Sequence, residues 1–131
     1  MIHADLHSHS ILSDGTLTPE ALVDAADAAG IRAFALTDHD STEGLPRAQA
    51  QCALSGIEWV PGVEISCDYA EKGGHLLGLF LKNWQDTALR EIFRLSKEER
   101  RARVFVQVKG LCELKSAITA AEVYAREGGE P

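Results

Sequence analysis

The sequence predicts an α/β domain organised around a parallel sheet or barrel. Three observations carry that prediction. Short apolar runs alternate with helical patterns up to about residue 83, the helical patterns are bounded by capping residues, and acids and histidines gather where the apolar runs end. In folds of this kind, binding and catalytic groups collect at the carboxyl ends of strands.

Each element has its own local signal. "MIHADLH" reads as a first strand. "TPEALVDAADAAG" reads as a helix with Thr18 as N-cap, Pro19 in the first turn and Gly30 just past the end. "IRAFALT" is a second strand, followed by "DHDST" and a helix from about Glu43 to Leu54 that Ser55 and Gly56 stop. "IEWVPGVEIS" is a third strand, broken by Pro61 and Gly62, and "HLLGLFL" is a fourth after the turn "EKGG". Beyond it, Leu89, Ile92, Phe93, Val104, Val108, Leu111 and Cys112 recur at helical spacing. "VFVQV" also alternates as a strand would, and Thr119 is expected to cap a last short helix ending near Gly128. "RLSKEERRAR" is basic, but Glu98 and Glu99 interrupt it and no aromatic residues alternate with its bases. A solvated helix face is the expectation there, not a nucleic-acid surface.

Composition narrows the function classes. With 131 residues, 45% of them apolar, the chain can bury one core. Cys52, Cys67 and Cys112 are odd in number and lack C-x-x-C spacing, which argues against a disulfide framework or a thiolate zinc site; reduced core thiols are expected. Twenty acids against 13 lysines and arginines give a net charge of −7, which disfavours bulk attraction to duplex nucleic acid, so an anionic substrate would need metal help. The first residues lack a basic n-region and an apolar h-region, and no apolar run is long enough to span a bilayer. The expectation is a cytoplasmic protein with no membrane partner.

The chemistry concentrates in "DLHSHSILSDG", residues 5 to 15. On a strand, His7 and His9 point to one face and can offer two imidazoles to one ion, with Asp5 behind them as a supporting partner. Similar residues recur at the other strand ends: Asp14 in "SDG", Asp38, His39 and Asp40 in "TDHD", Glu64 in "PGVEIS" and His75 in "HLLG". Any one of them alone reads as a loop acid, a helix cap or a surface histidine. Asp38 and Asp40 flank a candidate ligand and are read as supporting hydrogen-bond partners. Asp40 reads equally well as the cap of the following helix. Ser10 and Ser66 are expected to be structural, and Lys72, an exposed turn lysine, is left outside the site.

"DLHSHSILSDG", "ALTDHDS", "VPGVEIS" and "GHLLGLF", in that order, resemble the first motifs of the PHP (polymerase and histidinol phosphatase) superfamily. They are similar, more narrowly, to its bacterial phosphoesterases that act on nucleoside 3',5'-bisphosphates and trim short RNA from the 5' end. The resemblance is strong over residues 2 to about 81, and "EERRAR" and "ITAAEVYAREGG" resemble the helical insertion that follows. It implies the N-terminal part of a distorted (β/α)7 barrel in residues 1–83 and a helical insertion segment in 84–131. It also implies two or three divalent ions, with His7 and His9 on one, Asp14 and His39 on another, Glu64 bridging, and His75 completing a third position. Glu64, His39 and Asp14 would carry the chemistry.

An imidazole and carboxylate set without thiolate suits Mn, Fe or Zn. Hydroxide held between the ions would attack phosphorus in a small phosphorylated substrate, a nucleotide or short RNA. Family members run to roughly twice this length, as a closed barrel requires. Their later ligand histidine, phosphate-binding arginine and Asp-x-His pair have no counterpart here, since no histidine follows His75. The chain is therefore expected to be a metal-rich first half, inactive alone or able to associate through exposed barrel edges. Alternatives are a histidinol phosphatase, a polymerase-associated PHP domain, an amidohydrolase-type metallohydrolase, and a non-catalytic metal-binding or association fragment.

Overall fold

The computed structural model describes residues 3–69, 72–113, 119 and 122. Its elements run β1 (Ala4–Ser8), α1 (Pro19–Ala28), β2 (Ala33–Leu36), α2 (Leu45–Ser55), β3 (Glu58–Tyr69), β4 (Lys72–Leu79) and α3 (Thr87–Glu113). The four strands form one sheet in the order β1-β2-β3-β4. β1, β2 and the start of β3 pair in parallel, and β3 and β4 pair antiparallel. The mixed α/β architecture expected from the sequence is therefore present. No helix among the described residues is long and apolar enough to cross a membrane.

The helix boundaries follow from backbone chemistry. Thr18 caps α1, its Oγ1 accepting the Ala21 N–H at 3.2 Å, and Pro19 occupies the first turn, where its missing N–H costs no bond. Gly30 turns the chain out at φ 79°, a region open to glycine without penalty. α2 begins at Leu45, two residues later than expected, with Gly44 as its N-cap. Asp40 is therefore not the cap of that helix. α1 and α2 pack on the sheet through Val23, Phe34, Leu36, Leu45, Ala48, Cys52 and Ile57, and Trp84 closes the cluster. Fully burying a side chain such as Phe34 contributes about 1.5–3 kcal/mol. Across the top, Arg47 forks onto Glu20 at 2.6 and 2.7 Å and ties the two helices together.

β3 is not broken at Pro61 and Gly62. Pro61 is its last partner of β2, opposite Leu36, and Gly62 its first partner of β4, opposite Leu79. A residue without an N–H is tolerated there because the strand is changing neighbours. Gly62 has no room for a side chain, since a Cβ would lie 2.7 Å from the Thr37 methyl and 3.1 Å from the Leu36 carbonyl. β4 starts at Lys72, earlier than expected, so His75 lies inside the strand opposite Ser66. "VFVQV" is helical, within the 27 residues of α3. Thr119 Oγ1 accepts the Glu122 N–H at 3.3 Å, while the Glu122 carboxylate accepts the Thr119 N–H at 2.8 Å, the reciprocal pattern of a helix start. The rest of that expected helix, to Gly128, lies outside the described residues.

The cysteine expectation divides. Cys52 is fully buried in the core, and burial pushes its thiol up to about 11. Cys67 is exposed, contrary to the expectation of a core thiol, because it sits on the part of β3 paired with β4 and lines an open cleft. The Cys112 side chain lies outside the described residues. Leu76, Phe80, Phe105 and Val106 are exposed on β4, just after it, and on α3.

Candidate metal centre

The carboxyl ends of β1 and β2 are locked to each other before any functional residue is placed. Thr37 donates its N–H to the Ser8 carbonyl at 2.8 Å, and its Oγ1 accepts the Ser8 N–H at 3.1 Å. Ser8 and Thr37 are both buried, so His9 and Asp38, the next residues, leave the sheet side by side. His39 then pairs with Glu64 as a one-residue extension of the parallel ladder, the Asp40 N–H reaching the Glu64 carbonyl at 2.9 Å. Sheet register alone thus brings three sequence-distant segments to one rim.

Glu64 is the hub. It is 6% exposed, and its ion-pair partners among the described residues are imidazoles. Oε2 lies 2.7 Å from His7 Nε2, 3.0 Å from His9 Nε2 and 3.9 Å from His39 Nε2; Oε1 lies 3.1 Å from His75 Nδ1. The rings form an arc, with centroids 5.1 Å apart from His7 to His9, 4.7 Å from His9 to His39 and 4.5 Å from His39 to His75. Asp14 closes the far side, 3.3 Å from His9 Nδ1 and 3.5 Å from His39 Nε2. Three overlapping triads result: His7, His9 and Glu64; His9, Asp14 and His39; and His39, Glu64 and His75. Within each, one ligand atom per residue lies within 4.8 Å of the others. All six side chains named from the sequence as ligands converge.

The electrostatics suit cation binding. Burial pushes the His39 pKa down, and His9 and His75 add to that, against the pull of Asp14 and Glu64. Its imidazole is thereby biased to the neutral form, the one with a lone pair to give. Burial alone would raise the Glu64 carboxyl. The hydrogen bond from His7 and the charges of His39, His7 and His9 outweigh it and hold the group below its ordinary range. A buried carboxylate ringed by imidazoles, without a lysine or arginine paired to it among the described residues, is a charge that a metal ion would compensate. His39 turns its Nε2 to Asp14 and Glu64, while its buried Nδ1, on the other side of the ring, has no hydrogen-bond partner.

The three supporting acids behave differently from expectation. Asp5 does not reach an imidazole; its carboxylate accepts the backbone N–H of His7 at 3.3 Å. The ladder of β1 is irregular between Asp5 and Ser8, which spoils the simple alternation that would stack Asp5 behind the histidines. Asp38 is 1% exposed and accepts from the Ser10 N–H at 2.6 Å, Ser10 Oγ at 2.7 Å and Ser13 Oγ at 2.8 Å. It shapes the loop that carries Asp14, and Ser13 Oγ lies 3.4 Å from His9 Nδ1, so it approaches a candidate ligand at one remove. That makes Ser10 structural, as expected. Asp40 accepts the Ser66 N–H at 2.8 Å and Arg100 Nη2 at 2.6 Å. Gly15 explains "SDG": a Cβ there would lie 2.0 Å from the His9 carbonyl oxygen, so only glycine lets the loop fold back over the ligand.

Two residues were missed. Ser13 carries no sequence signal beyond its neighbourhood. Arg100 departs from the solvated-face assignment that "RLSKEERRAR" suggests, since Phe93, Lys97, Arg100, Val104 and Val108 follow helical spacing and put it on the apolar stripe. Arg94 does fit that assignment, pairing along its own helix with Glu91 and Glu98. Above the rim, a cleft of about 1120 Å³ opens between His39, Asp14 and His75 on one side and Glu99, Arg100 and Arg103 of α3 on the other.

Comparison with known proteins gives consistent matches. The family model described as "PHP domain" matches residues 5–123. The 5'-3' exoribonuclease Rnm of Salmonella typhimurium is 40% identical over 101 residues, covering 76% of this chain and 34% of the relative. The 3',5'-nucleoside bisphosphate phosphatase of Chromobacterium violaceum is 46% identical over 79 residues, covering 60% and 28%. The chain thus spans about a third or less of these curated relatives. A solved structure of a protein named an amidohydrolase from Chromobacterium violaceum, with bound sulfate and no metal, superposes with a TM-score of 0.80 at 32% identity, over 98% of this chain and 44% of that one. A candidate metal-dependent phosphoesterase from Bifidobacterium adolescentis superposes with a TM-score of 0.79 at 26% identity, over 96% and 43%.

Proposed function

Because the chain belongs to the PHP-domain family, we propose that it forms the metal-holding part of a metal-dependent phosphoesterase. In that reading residues 1–83 are the N-terminal part of the barrel and 84–131 a helical insertion. The observation that carries it is the convergence of four imidazoles and two carboxylates, Asp14 and Glu64, on one rim.

His7, His9, Asp14, His39, Glu64 and His75 would hold two or three divalent ions, of which Mn, Fe and Zn all suit the donors. When bound, such ions would supply a nucleophilic water of lowered pKa and positive charge for the phosphoryl oxygens. The chain's own residues do the rest. Glu64 presents both oxygens to different imidazoles and so spaces the donor groups. Burial biases His39 towards the neutral form, and Asp38 with Ser10 and Ser13 fixes the loop that brings Asp14 to His39. On the opposite wall of the cleft Arg103 and Glu99 face the rim, and Arg103 offers a basic group to an anion that an otherwise acidic chain would repel.

The relatives' names point to nucleoside 3',5'-bisphosphates or RNA, and a small phosphorylated substrate, a nucleotide or short RNA, is the reading adopted for this chain. The test is phosphate release from adenosine 3',5'-bisphosphate with added manganese, using the longest in-frame chain that contains residues 1–131. Release that falls by more than ~100-fold in E64Q and H39A supports the reading, exceeding the 10–100-fold expected for groups behind the ligands. No release, or release unchanged in both variants, contradicts it. The structural neighbour named an amidohydrolase favours a second reading, amide hydrolysis at the same rim. Turnover of a cyclic amide without phosphate release would select that one.

A further inference from the structure

α3 lies across the cleft on a narrow stripe. Phe93 and Val108, buried, mark its two ends, and Lys97, Arg100 and Val104 lie between them. At the centre of the stripe, Arg100 Nη2 reaches Asp40 Oδ2 at 2.6 Å and Ser66 Oγ at 2.8 Å. One turn earlier, Lys97 Nζ reaches Glu43 at 3.3 Å. Both acids lie on the loop that begins with His39, so the helix is fastened to the segment that delivers a candidate ligand.

Asp40 is an unusual anchor. It is 2% exposed, sits at φ 47° and accepts the Ser66 N–H through its other oxygen, while its own N–H goes to the Glu64 carbonyl. A non-glycine residue in that backbone region persists only where its surroundings hold it. Its carboxylate is buried and needs a cation, and among the described residues Arg100 is the one paired with it.

We propose that Arg100 is a positioning residue: through Asp40 and Ser66 it seats α3 on the rim and so sets the cleft wall, carrying Glu99 and Arg103, against which substrate is captured. The kinetic consequence rests on the phosphoesterase reading; the mechanical consequence does not.

The experiment compares the wild-type chain with R100A and R100K by steady-state phosphate release, manganese content and amide hydrogen exchange over Ser96–Val104. Both bonds from Arg100 leave a single nitrogen, so a lysine ammonium can replace them in part. R100A is expected to raise KM ~10-fold with kcat within ~3-fold, the signature of lost binding that is uniform along the reaction. Manganese content should hold, exchange over Ser96–Val104 should speed up, and R100K should recover both KM and exchange in part. An unchanged KM, a joint fall of kcat and manganese content, or an R100K that recovers nothing overturns the proposal. If the wild type releases no phosphate, the phosphoesterase reading falls and exchange alone decides: faster exchange in R100A sustains the clasp, and unchanged exchange removes it.

Discussion

At the rim, Asp38 is buried and receives three hydrogen bonds from Ser10 and Ser13, while on α3 Arg94 pairs with Glu91 and Glu98 in open solvent. Both are charged groups with several partners, yet they do different work. A carboxylate taken out of water is destabilising unless its bonds are complete, so the loop around Asp38 has one arrangement that satisfies it. An exposed pair gains little and is screened by salt, so it supports helicity without dictating where the helix lies. The rim is set by strand register and buried polar bonds. The helix above it is set by a stripe of few contacts centred on Arg100. The rim is thus held rigidly, while the cleft wall above it is adjustable.

The contrast can be broken most directly at Asp38. D38A strands the Ser10 N–H and removes bonds to a charged acceptor, so chemical denaturation should register a loss of about 3 kcal/mol. A loss below about 1 kcal/mol would mean the loop is not fastened in this way. G15A comes next, because its Cβ would meet backbone atoms of His9 and Ser10 that cannot step aside cheaply. About 2 kcal/mol is expected, with Asp14 displaced.

Thiol labelling sharpens the same contrast between covered and open regions. In a C112S chain, Cys67 should react readily under native conditions, while Cys52, buried and with its thiol pushed up to about 11, should react only on unfolding. Equal rates would contradict the burial of α2. The smallest effect belongs to the exposed Glu20–Arg47 fork. The fork from Arg47 lowers the Glu20 carboxyl to about 2, so its stabilisation is present above pH ~4.5 and is lost as pH falls towards 2. The stability gap between wild type and E20Q should therefore be largest near neutral pH, close in acid and shrink in high salt; a gap independent of pH would rule the linkage out.

Where the determinants are local, the sequence is readable. Thr18, Pro19 and Gly30 announce α1, and the histidines and acids at the strand ends mark the rim, because parallel strands deliver their carboxyl ends to one side. What was not readable depends on partners far along the chain. Pro61 reads as a break until β4 is known to take over as the neighbour. Asp40 reads as a cap until Ser66 and Arg100 are seen to claim its oxygens. Asp5 reads as a support for the imidazoles until the irregularity in β1 turns its carboxylate to the His7 backbone. Arg100 shows the same limit from the other side, since a basic residue between charged neighbours reveals its role only beside a buried acid.

The central claim is that Glu64 and the four imidazoles around it, with Asp14, form one donor set for divalent cations. Equilibrium dialysis against manganese followed by elemental analysis tests it most directly, on the wild type and on E64Q. At least two ions per wild-type chain, with at least one lost in E64Q, is the expected result. A wild-type chain that retains no manganese, or an E64Q chain that retains as much as the wild type, would contradict it.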